Sequence, residues 1–343
     1  MATRVAINGF GRVGRAALRS AYAQEADIEW AGINDLVDPG TLAHLLRRDT
    51  VYGRFERSVD STDGAIIVDG HAIPVFNETD PGALPWAELG IDVVLESTGR
   101  FRTRADAAQH LEAGAKKVVI SAPAKDAVPT FVLGVNFDEY DPERDDVISN
   151  ASCTTNCLAP VAKVLHETVG IRHGSMTTVH AFTADQRLVD LPHKDLRRAR
   201  AASLNVVPTT TGAAKAIGLV IPELEGRLGG YAVRVPVATG SLVDLTVETV
   251  RATSVEEINR AFGARADSGS LKGILAYTDE PFVSSDVIGS PYSAVFDAGL
   301  TAVVDEKQVK VVAWYDNEWG YSTRLVELAQ LVLAPVPAGK EKS

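Results

Sequence analysis

The fold of this chain is decided by the stretch Arg4-Val5-Ala6-Ile7-Asn8-Gly9-Phe10-Gly11-Arg12-Val13-Gly14. Its apolar first half predicts a short buried strand, and apolar residues at helical spacing over 16–22 predict a helix directly after it. The Gly-x-Gly-x-x-Gly pattern therefore has the strand–turn–helix context of a dinucleotide site. There the first glycine permits the turn, the second admits a pyrophosphate, and the third lets helix and strand pack closely. We predict a doubly wound, Rossmann-type α/β dinucleotide-binding domain.

The cofactor is indicated by the end of the next strand. Residues 28–33 form a second predicted strand that ends in Asn34-Asp35, about 20 residues beyond the glycines, where a carboxylate binds ribose hydroxyls. Asp35 would repel the additional phosphate of NADP, so we predict NAD. Two further predicted strands end in Ser97-Thr98-Gly99 and in Ser121. Small residues at carboxyl strand ends form the ligand crevice of such a sheet.

A reactive thiol is predicted at Cys153. Residues 149–157 read Ser-Asn-Ala-Ser-Cys-Thr-Thr-Asn-Cys and follow a short apolar strand, so Cys153 falls in the first turn of a predicted helix. Free backbone N–H groups and the helix dipole there favour the thiolate. The alternative is a buried, inert cysteine, and we expect that state for Cys157 one turn later. The two cysteines are badly spaced for a disulfide and too few for a structural zinc site, and no metal is predicted.

The second half of the sequence has a different pattern of predicted secondary structure. Longer apolar strands are predicted over 175–180, 232–236, 242–248 and 309–314, which favours an α+β domain with a largely antiparallel sheet. A long polar, basic segment, residues 182–208, lies between the first two. Loops of that length inside a compact domain are usually functional. Residues 335–343 have the composition of a flexible tail.

Three features of this half point to the thiol. His180 ends a predicted strand, where an imidazole near Cys153 could hold the thiolate as an ion pair and exchange a proton; the alternative is a structural histidine. Arg234 lies within an apolar strand and needs an anion, for which phosphate suits a guanidinium. Arg197, in the basic loop, could bind an anion or simply face solvent. Thr211-Gly212 precede a helix start of the kind that binds phosphate.

Composition excludes several classes of protein. The 343-residue chain is 45% apolar, has a mean hydropathy of +0.02, and carries a formal net charge of −11. That charge argues against sequence-independent nucleic-acid binding, which needs excess cations. Its apolar runs are too short to span a membrane, and its first residues begin a strand without a secretory signal. We therefore expect a cytoplasmic enzyme without a nucleic acid or a membrane as its main partner.

Together, these motifs resemble those of phosphorylating glyceraldehyde-3-phosphate dehydrogenases of the bacterial type, across nearly the whole chain. The matching segments are residues 8–15, 149–160, 177–183, 193–202, 208–216, 234–236, 271–275, 283–286 and 314–321. The resemblance implies an NAD-binding domain of residues 1–150, completed by a C-terminal helix at about 316–334, and a catalytic domain of residues 151–315. It further implies a homotetramer in glycolysis or gluconeogenesis.

The resemblance also assigns roles to residues. Cys153 would attack the aldehyde, His180 would take the proton of the hemithioacetal, and inorganic phosphate would cleave the resulting thioester. The substrate phosphate would bind Thr183, Arg197 and Arg234, and the attacking phosphate would bind Ser152, Thr154, Thr211 and Gly212. The cofactor would contact Asn8, Gly9, Phe10, Gly11, Arg12, Val13, Asp35, Ser97, Thr98, Gly99, Ser121, Asn317 and Tyr321, with Asn317 on the carboxamide.

Two other functions share some of these sequence features. Erythrose-4-phosphate dehydrogenases share the cysteine motif and the basic loop, but they lack the pattern seen here at Thr183 and Thr211-Gly212. A purely binding role is disfavoured by the acidic charge and the intact set of reactive residues. The sequence leaves open the glycolytic or gluconeogenic direction, any NADP use, any secondary binding role, and whether this is a duplicate resistant to a thiol-directed inhibitor.

Overall fold

The chain folds into two compact units in a computed structural model that describes residues 2–334. The first unit contains residues 2–130, 139–150 and 322–334, and the second contains residues 131–138 and 151–321. The contacts thus group residues 131–138 with the second unit, whereas the sequence assigned them to the first. The predicted flexible tail, residues 335–343, lies outside the described residues.

The first unit is built on an eight-stranded sheet in the order β10-β9-β8-β1-β2-β7-β6-β5. All pairs from β10 to β7 are parallel, and β5–β7 form an antiparallel excursion. The strands of this sheet are β1 (Thr3–Asn8), β2 (Ile28–Asn34), β5 (Val59–Thr62), β6 (Ala65–Val68), β7 (His71–Phe76), β8 (Val93–Glu96), β9 (Lys117–Ile120) and β10 (Val147–Ser149), and the first unit also contains a separate pair, β3 (Arg48–Asp49) with β4 (Gly53–Arg54). Its helices are α1 (Arg12–Ala23), α2 (Pro39–Arg47) and α3 (Arg104–Glu112).

This arrangement confirms the predicted doubly wound domain. The central strands are apolar on both faces, and Val5, Val94 and Val119 are fully buried, as expected for parallel strands covered by helices. The chain leaves β1 to form β2 on one side, while β8 pairs on the other. The carboxyl end of β1 is therefore the point where strand order reverses, which is where such sheets bind ligands.

The second unit is built on a seven-stranded sheet in the order β12-β13-β11-β14-β17-β16-β15. Two pairs, β11 with β13 and β15 with β16, are parallel; the other four are antiparallel, so the prediction of a largely antiparallel sheet is confirmed. Its elements are α4 (Cys153–Val169), β11 (Ile171–Ala181), β12 (Val207–Thr209), α5 (Ala213–Val220), β13 (Leu228–Val235), β14 (Ser241–Thr249), α6 (Val255–Asp267), β15 (Leu275–Thr278), β16 (Ala294–Val304) and β17 (Gln308–Tyr315).

Some elements were not predicted. The sequence patterns did not predict the helix α6 or the strand β16. The last helix, α7 (Trp319–Leu331), is shorter than the predicted span of about 316–334. From Ser322 onward α7 belongs to the first unit. Within residues 2–334, no helix combines the length and the apolar character needed to cross a bilayer.

Candidate functional site

The thiol of Cys153 is presented by a sharp turn into α4. Ala151 has a φ of +53°, a left-handed conformation that a residue with a side chain adopts at a cost. Ser152 caps the helix, its Oγ accepting a hydrogen bond from the N–H of Thr155 at 3.0 Å. Cys153 is therefore the first helical residue, as predicted, and it is half-buried and free of any disulfide.

His180 and Arg234 meet beside this thiol. The Nε2 of His180 lies 3.4 Å from the Sγ of Cys153. His180 and Arg234 are direct partners in the register between the parallel strands β11 and β13, near their carboxyl ends. Cys153, His180 and Arg234, three predicted site residues, thus form one contiguous group.

The other ring nitrogen of His180 has two close neighbours. Its Nδ1 lies 2.5 Å from Nη1 of Arg234, a donor, and 2.7 Å from the carbonyl oxygen of Ala181, an acceptor. The same Nη1 donates to that carbonyl at 3.0 Å. Either neutral form of the ring keeps Nε2 toward the sulfur. With a proton there, Nε2 donates to a thiolate; without one, it accepts the thiol proton.

The charges of this group differ from the predicted thiolate–imidazolium pair. Burial, reinforced by the charge of Arg234, lowers the pKa of His180 to about 3, so the ring is neutral near pH 7. Burial raises the pKa of Cys153, and the charge of Arg234 and hydrogen bonds from Thr154 oppose that rise. These shifts favour a neutral His180 over the predicted imidazolium, and the permanent cation of the group is Arg234.

Arg234 is a half-buried cation without a carboxylate ion-pair partner among residues 2–334. Among the described residues, no Asp or Glu forms an ion pair with it within 4.0 Å, and its Nε atom is buried without a hydrogen-bond partner. A desolvated, unpaired charge is costly to a fold by itself. The arrangement therefore favours an anion bound beside Cys153, as predicted.

The basic loop, residues 182–208, contributes Arg198 to a polar cluster. The sequence had assigned the phosphate-binding role in this loop to Arg197. Arg198 donates to Asp185 at 2.5 Å, to Thr209 at 2.8 Å and to the carbonyl oxygen of Thr210 at 3.3 Å. Thr183 donates its hydroxyl proton to the other oxygen of Asp185. Arg197 is exposed, and its side chain makes no hydrogen bond or ion pair with any residue of the described chain. The structure thus replaces Arg197 by Arg198 at this site.

Asp185 is the second member of the cluster that the sequence did not assign. Burial acts to raise the pKa of this carboxyl, but the hydrogen bond from Thr183 and the charge of Arg198 outweigh it and hold the pKa below its ordinary value. Asp185 is thus a carboxylate that holds Arg198 and Thr183 together. The sequence shows that Asp185 lies two residues beyond Thr183, but it does not show the pairing of Asp185 with Arg198, 13 residues on.

The other predicted phosphate residues differ in accessibility. Thr154 is only 4% exposed, and its hydroxyl hydrogen-bonds the Oη of Tyr315 at 2.9 Å. Tyr315 also bonds Thr178 at 2.9 Å, and Thr178 donates to the carbonyl oxygen of Leu242. Tyr315 was not predicted; its ring lies edge-on to His180. By contrast, Thr211 is half-buried and Gly212 is exposed at the start of α5, where N–H groups are available to an anion.

In the first unit, the glycine turn leaves room for a dinucleotide. Gly9 has a φ of +91°, and a Cβ there would lie 2.7 Å from the backbone nitrogen of Thr98. A Cβ on Gly14 would lie 2.5 Å from the carbonyl oxygen of Gly9, whereas one on Gly11 would meet nothing within 4 Å. The first and third glycines are thus required by packing, and the second faces the open space that a pyrophosphate would occupy.

The strand ends around this turn also fit a nucleotide. The carboxylate of Asp35 accepts hydrogen bonds from the N–H of Phe10 at 2.7 Å and of Val37 at 3.1 Å, which fixes it at the end of β2. The Oγ of Ser97 is buried and lacks a hydrogen-bond partner in residues 2–334. A buried hydroxyl without a partner indicates a missing ligand or water.

A buried network that the sequence analysis missed holds these strand ends. Glu96 accepts hydrogen bonds from Asn8 at 2.5 Å and from the N–H of Thr98 at 2.9 Å. His110 lies 3.2 Å from the same carboxylate, and Trp86 donates to its Nδ1 at 3.0 Å, so Nε2 carries the proton toward Glu96. The sequence did offer one indication of this network, because Glu96 places a carboxylate at the end of the predicted apolar strand 92–96.

The remaining predicted cofactor residues have varied environments. Phe10 is fully buried, so only its backbone can face a ligand. Arg12 is paired with Asp49 at 2.9 Å. Gly99 is exposed. Ser121 and Val13 contribute backbone atoms to hydrogen bonds within the first unit. In the second unit, Asn317 accepts from Ser241 at 2.8 Å, and the Oη of Tyr321 donates to the carbonyl oxygen of Ala151 at 3.1 Å.

Comparison with known proteins gives two family matches. Residues 3–104 match the model of the glyceraldehyde 3-phosphate dehydrogenase NAD binding domain, and residues 152–317 match that of the C-terminal domain. The chain is 60% identical over 332 residues to glyceraldehyde-3-phosphate dehydrogenase 2 of Streptomyces arenae, covering 97% of this chain and 99% of that protein. It is 58% identical over 332 residues to the glyceraldehyde-3-phosphate dehydrogenase of Geobacillus stearothermophilus, covering 97% and 98%.

Proposed function

This chain belongs to the glyceraldehyde-3-phosphate dehydrogenase family, and we propose that it oxidises D-glyceraldehyde 3-phosphate with NAD and inorganic phosphate to 1,3-bisphosphoglycerate. The observation that carries the chemistry is the contact of Cys153, His180 and Arg234 at the start of α4. A nucleophile, a neutral base and an unpaired cation are the groups that acyl transfer to phosphate requires. The reaction runs in glycolysis or gluconeogenesis.

The residues around the glycine turn would hold the cofactor. The N–H groups at the start of α1 bind the pyrophosphate, Asp35 accepts from the ribose hydroxyls, and Ser97 supplies its unpartnered hydroxyl. Asn317 holds the carboxamide, and Tyr321 packs near the nicotinamide ring. When bound, NAD supplies the acceptor for the hydride that the substrate loses.

The first chemical step uses the Cys153 group. Nε2 of His180 takes the thiol proton of Cys153 as the sulfur attacks the aldehyde carbon and the carbonyl π bond breaks, and it passes that proton to the new alkoxide to give the hemithioacetal, while Arg234 offsets the negative charge at this site. Nε2 of His180, which faces the sulfur of Cys153, then accepts the proton of the hemithioacetal hydroxyl as the hydride departs. The product on the enzyme is a thioester of Cys153. General-base assistance of this kind is worth about two to four powers of ten in rate.

Phosphate then releases the acyl group. One phosphate oxygen attacks the thioester carbon, the carbon–sulfur bond breaks, and the Cys153 thiolate leaves beside Arg234. We propose that Thr183, Arg198 and Arg234 bind the phosphate of the substrate. Ser152, Thr154, Thr211 and Gly212 surround the attacking phosphate, with Thr154 contributing through its N–H because its hydroxyl is engaged by Tyr315. The exposed start of α5 supplies further N–H donors.

The enzyme would act as a homotetramer in the cytoplasm. The basic loop exposes large apolar side chains, with Leu196 80% and Leu204 81% accessible, and such surfaces support association with another copy. Light scattering is expected to give four chains per particle, and a monomeric mass would contradict the tetramer.

The proposed reaction predicts phosphate-dependent NADH formation. With glyceraldehyde 3-phosphate and NAD, absorbance should rise in steady state only when phosphate or arsenate is present, because the thioester must be cleaved. Cys153→Ser should abolish this rate and retain NAD binding. Equal steady-state rates without either anion would contradict the phosphorylating reaction. A higher specificity constant for erythrose 4-phosphate would instead support the alternative dehydrogenase.

The polar cluster predicts unequal roles for two adjacent arginines. Arg198→Ala should raise KM for glyceraldehyde 3-phosphate about tenfold or more, because a charged hydrogen bond contributes roughly 1.5–3 kcal/mol. Arg197→Ala is the matched control and should change KM less than about twofold, since the Arg197 side chain is exposed and makes no hydrogen bond or ion pair within residues 2–334. Thermal unfolding of both variants checks that they fold. Equal effects on KM, or a larger effect at Arg197, would refute the assignment of Arg198.

A further inference from the structure

We propose that Ser241 is a positioning residue that sets the orientation of the Asn317 carboxamide for binding the nicotinamide end of NAD. The inference rests on the proposed role of Asn317 and extends it to a residue outside the set already assigned. It is built on a chain of hydrogen bonds from Ala181, next to His180, through Ser241 to Asn317.

The backbone of Asn317 is held at the junction between β17 and α7. Asp316 accepts hydrogen bonds from the N–H groups of Glu318 at 2.9 Å and Trp319 at 2.8 Å, and its other oxygen accepts from the N–H of Gly289 at 2.8 Å. These bonds cap the first turn of α7 and hold the neighbouring residue in place. They do not decide which way the Asn317 side-chain amide faces.

Ser241 fixes the direction of the Asn317 side-chain amide. It begins β14, pairs with Tyr315 in the register with β17, and is 1% exposed. Its Oγ accepts the N–H of Ala181 at 3.1 Å and donates to the Oδ1 of Asn317 at 2.8 Å. Thr239 adds a longer contact to the same Oδ1 at 3.3 Å. Because hydroxyl protons engage Oδ1, the Nδ2 group is directed away from Ser241.

The Nδ2 group of Asn317 is the donor left for a ligand. It makes no hydrogen bond with any residue in the described range 2–334, although Asn317 is only 6% exposed. A carboxamide oxygen on a nicotinamide ring is an acceptor that this N–H group suits. Without Ser241, the Asn317 amide could rotate and present Oδ1 instead, which would repel that oxygen. Preorganisation of this kind contributes to binding when a supporting side chain fixes a ligand group.

The inference predicts a selective loss of affinity. Ser241→Ala should raise the Kd for NAD about tenfold, the effect of losing one buried hydrogen bond and freeing the amide. It should leave the Kd for ADP-ribose within about twofold, because ADP-ribose lacks the nicotinamide. Both constants are measured by isothermal titration calorimetry on the full chain without substrate. Equal weakening of both ligands, or an unchanged Kd for NAD, would overturn the inference.

Three further variants separate positioning from general structure. Thr249→Val removes a buried hydroxyl at the far end of the same strand and should leave both Kd values unchanged. Ser241→Cys preserves approximate volume with a weaker donor; it should weaken NAD selectively and replaces Ser241→Ala if that variant does not fold. Ser241→Ala combined with Asn317→Ala should bind NAD no more weakly than Asn317→Ala alone. Additive losses would overturn the inference.

Failure of the underlying proposal gives a different result. If Asn317→Ala leaves the Kd for NAD unchanged, Asn317 does not hold the carboxamide, and both statements are overturned. If Asn317→Ala weakens NAD and Ser241→Ala does not, only the role of Ser241 is lost. In kinetics, Ser241→Ala should raise KM for NAD, with a smaller effect on kcat than Cys153→Ser.

Discussion

The proposed catalytic group depends on one constraint: a permanently charged guanidinium is held against an imidazole whose other nitrogen contacts a thiol, and no Asp or Glu among residues 2–334 forms an ion pair with it. Parallel pairing of β11 and β13 places His180 and Arg234 side by side, so the fold imposes this contact. Burial of an unpaired charge costs several kcal/mol, and a bound phosphate or a thiolate offsets that cost. Burial lowers the pKa of His180, the same charge adds to that effect, and it opposes the effect of burial on the pKa of Cys153. The proposed nucleophile, base and anion site are thus all affected by the charge of Arg234.

The surrounding polar groups make this arrangement usable. Asp185 gathers Arg198 and Thr183 into a cluster, so that a cation from the long loop joins residues near β12 and α5. On another side, Ser241 connects the backbone next to His180 with the side chain of Asn317. Short hydrogen-bonded connections in the second unit therefore hold the proposed base, the proposed anion site and the proposed cofactor donor. The first unit uses the same principle, because Glu96 links Asn8 to Thr98.

Much of this could be predicted where the chemistry is local in sequence. Gly9 and Gly14 are explained by close contacts at the turn, and Cys153 by its place at a helix start, so both motifs were informative. What failed depended on side-chain direction or distant partners. Arg197 and Arg198 are adjacent, and only the loop conformation turns Arg198 toward Asp185. Burial of the ring, and the charge of Arg234, which is 54 residues away, lower the pKa of His180, and neither is visible in the sequence. Ser241 and Tyr315 act through strand register, which a single sequence does not display.

The pH dependence of Cys153 alkylation by iodoacetamide, followed by mass spectrometry, tests the central claim most directly. If Arg234 is the cation that stabilises the thiolate, Arg234→Leu should move the curve to higher pH, because removing a nearby positive charge raises the pKa of a thiol. Arg234→Lys should stay closer to wild type, and His180→Asn should shift the curve less than Arg234→Leu, since a neutral ring carries no charge to lose. A large upward shift for His180→Asn, with the Arg234→Leu curve unchanged, would contradict the account and restore the thiolate–imidazolium pair.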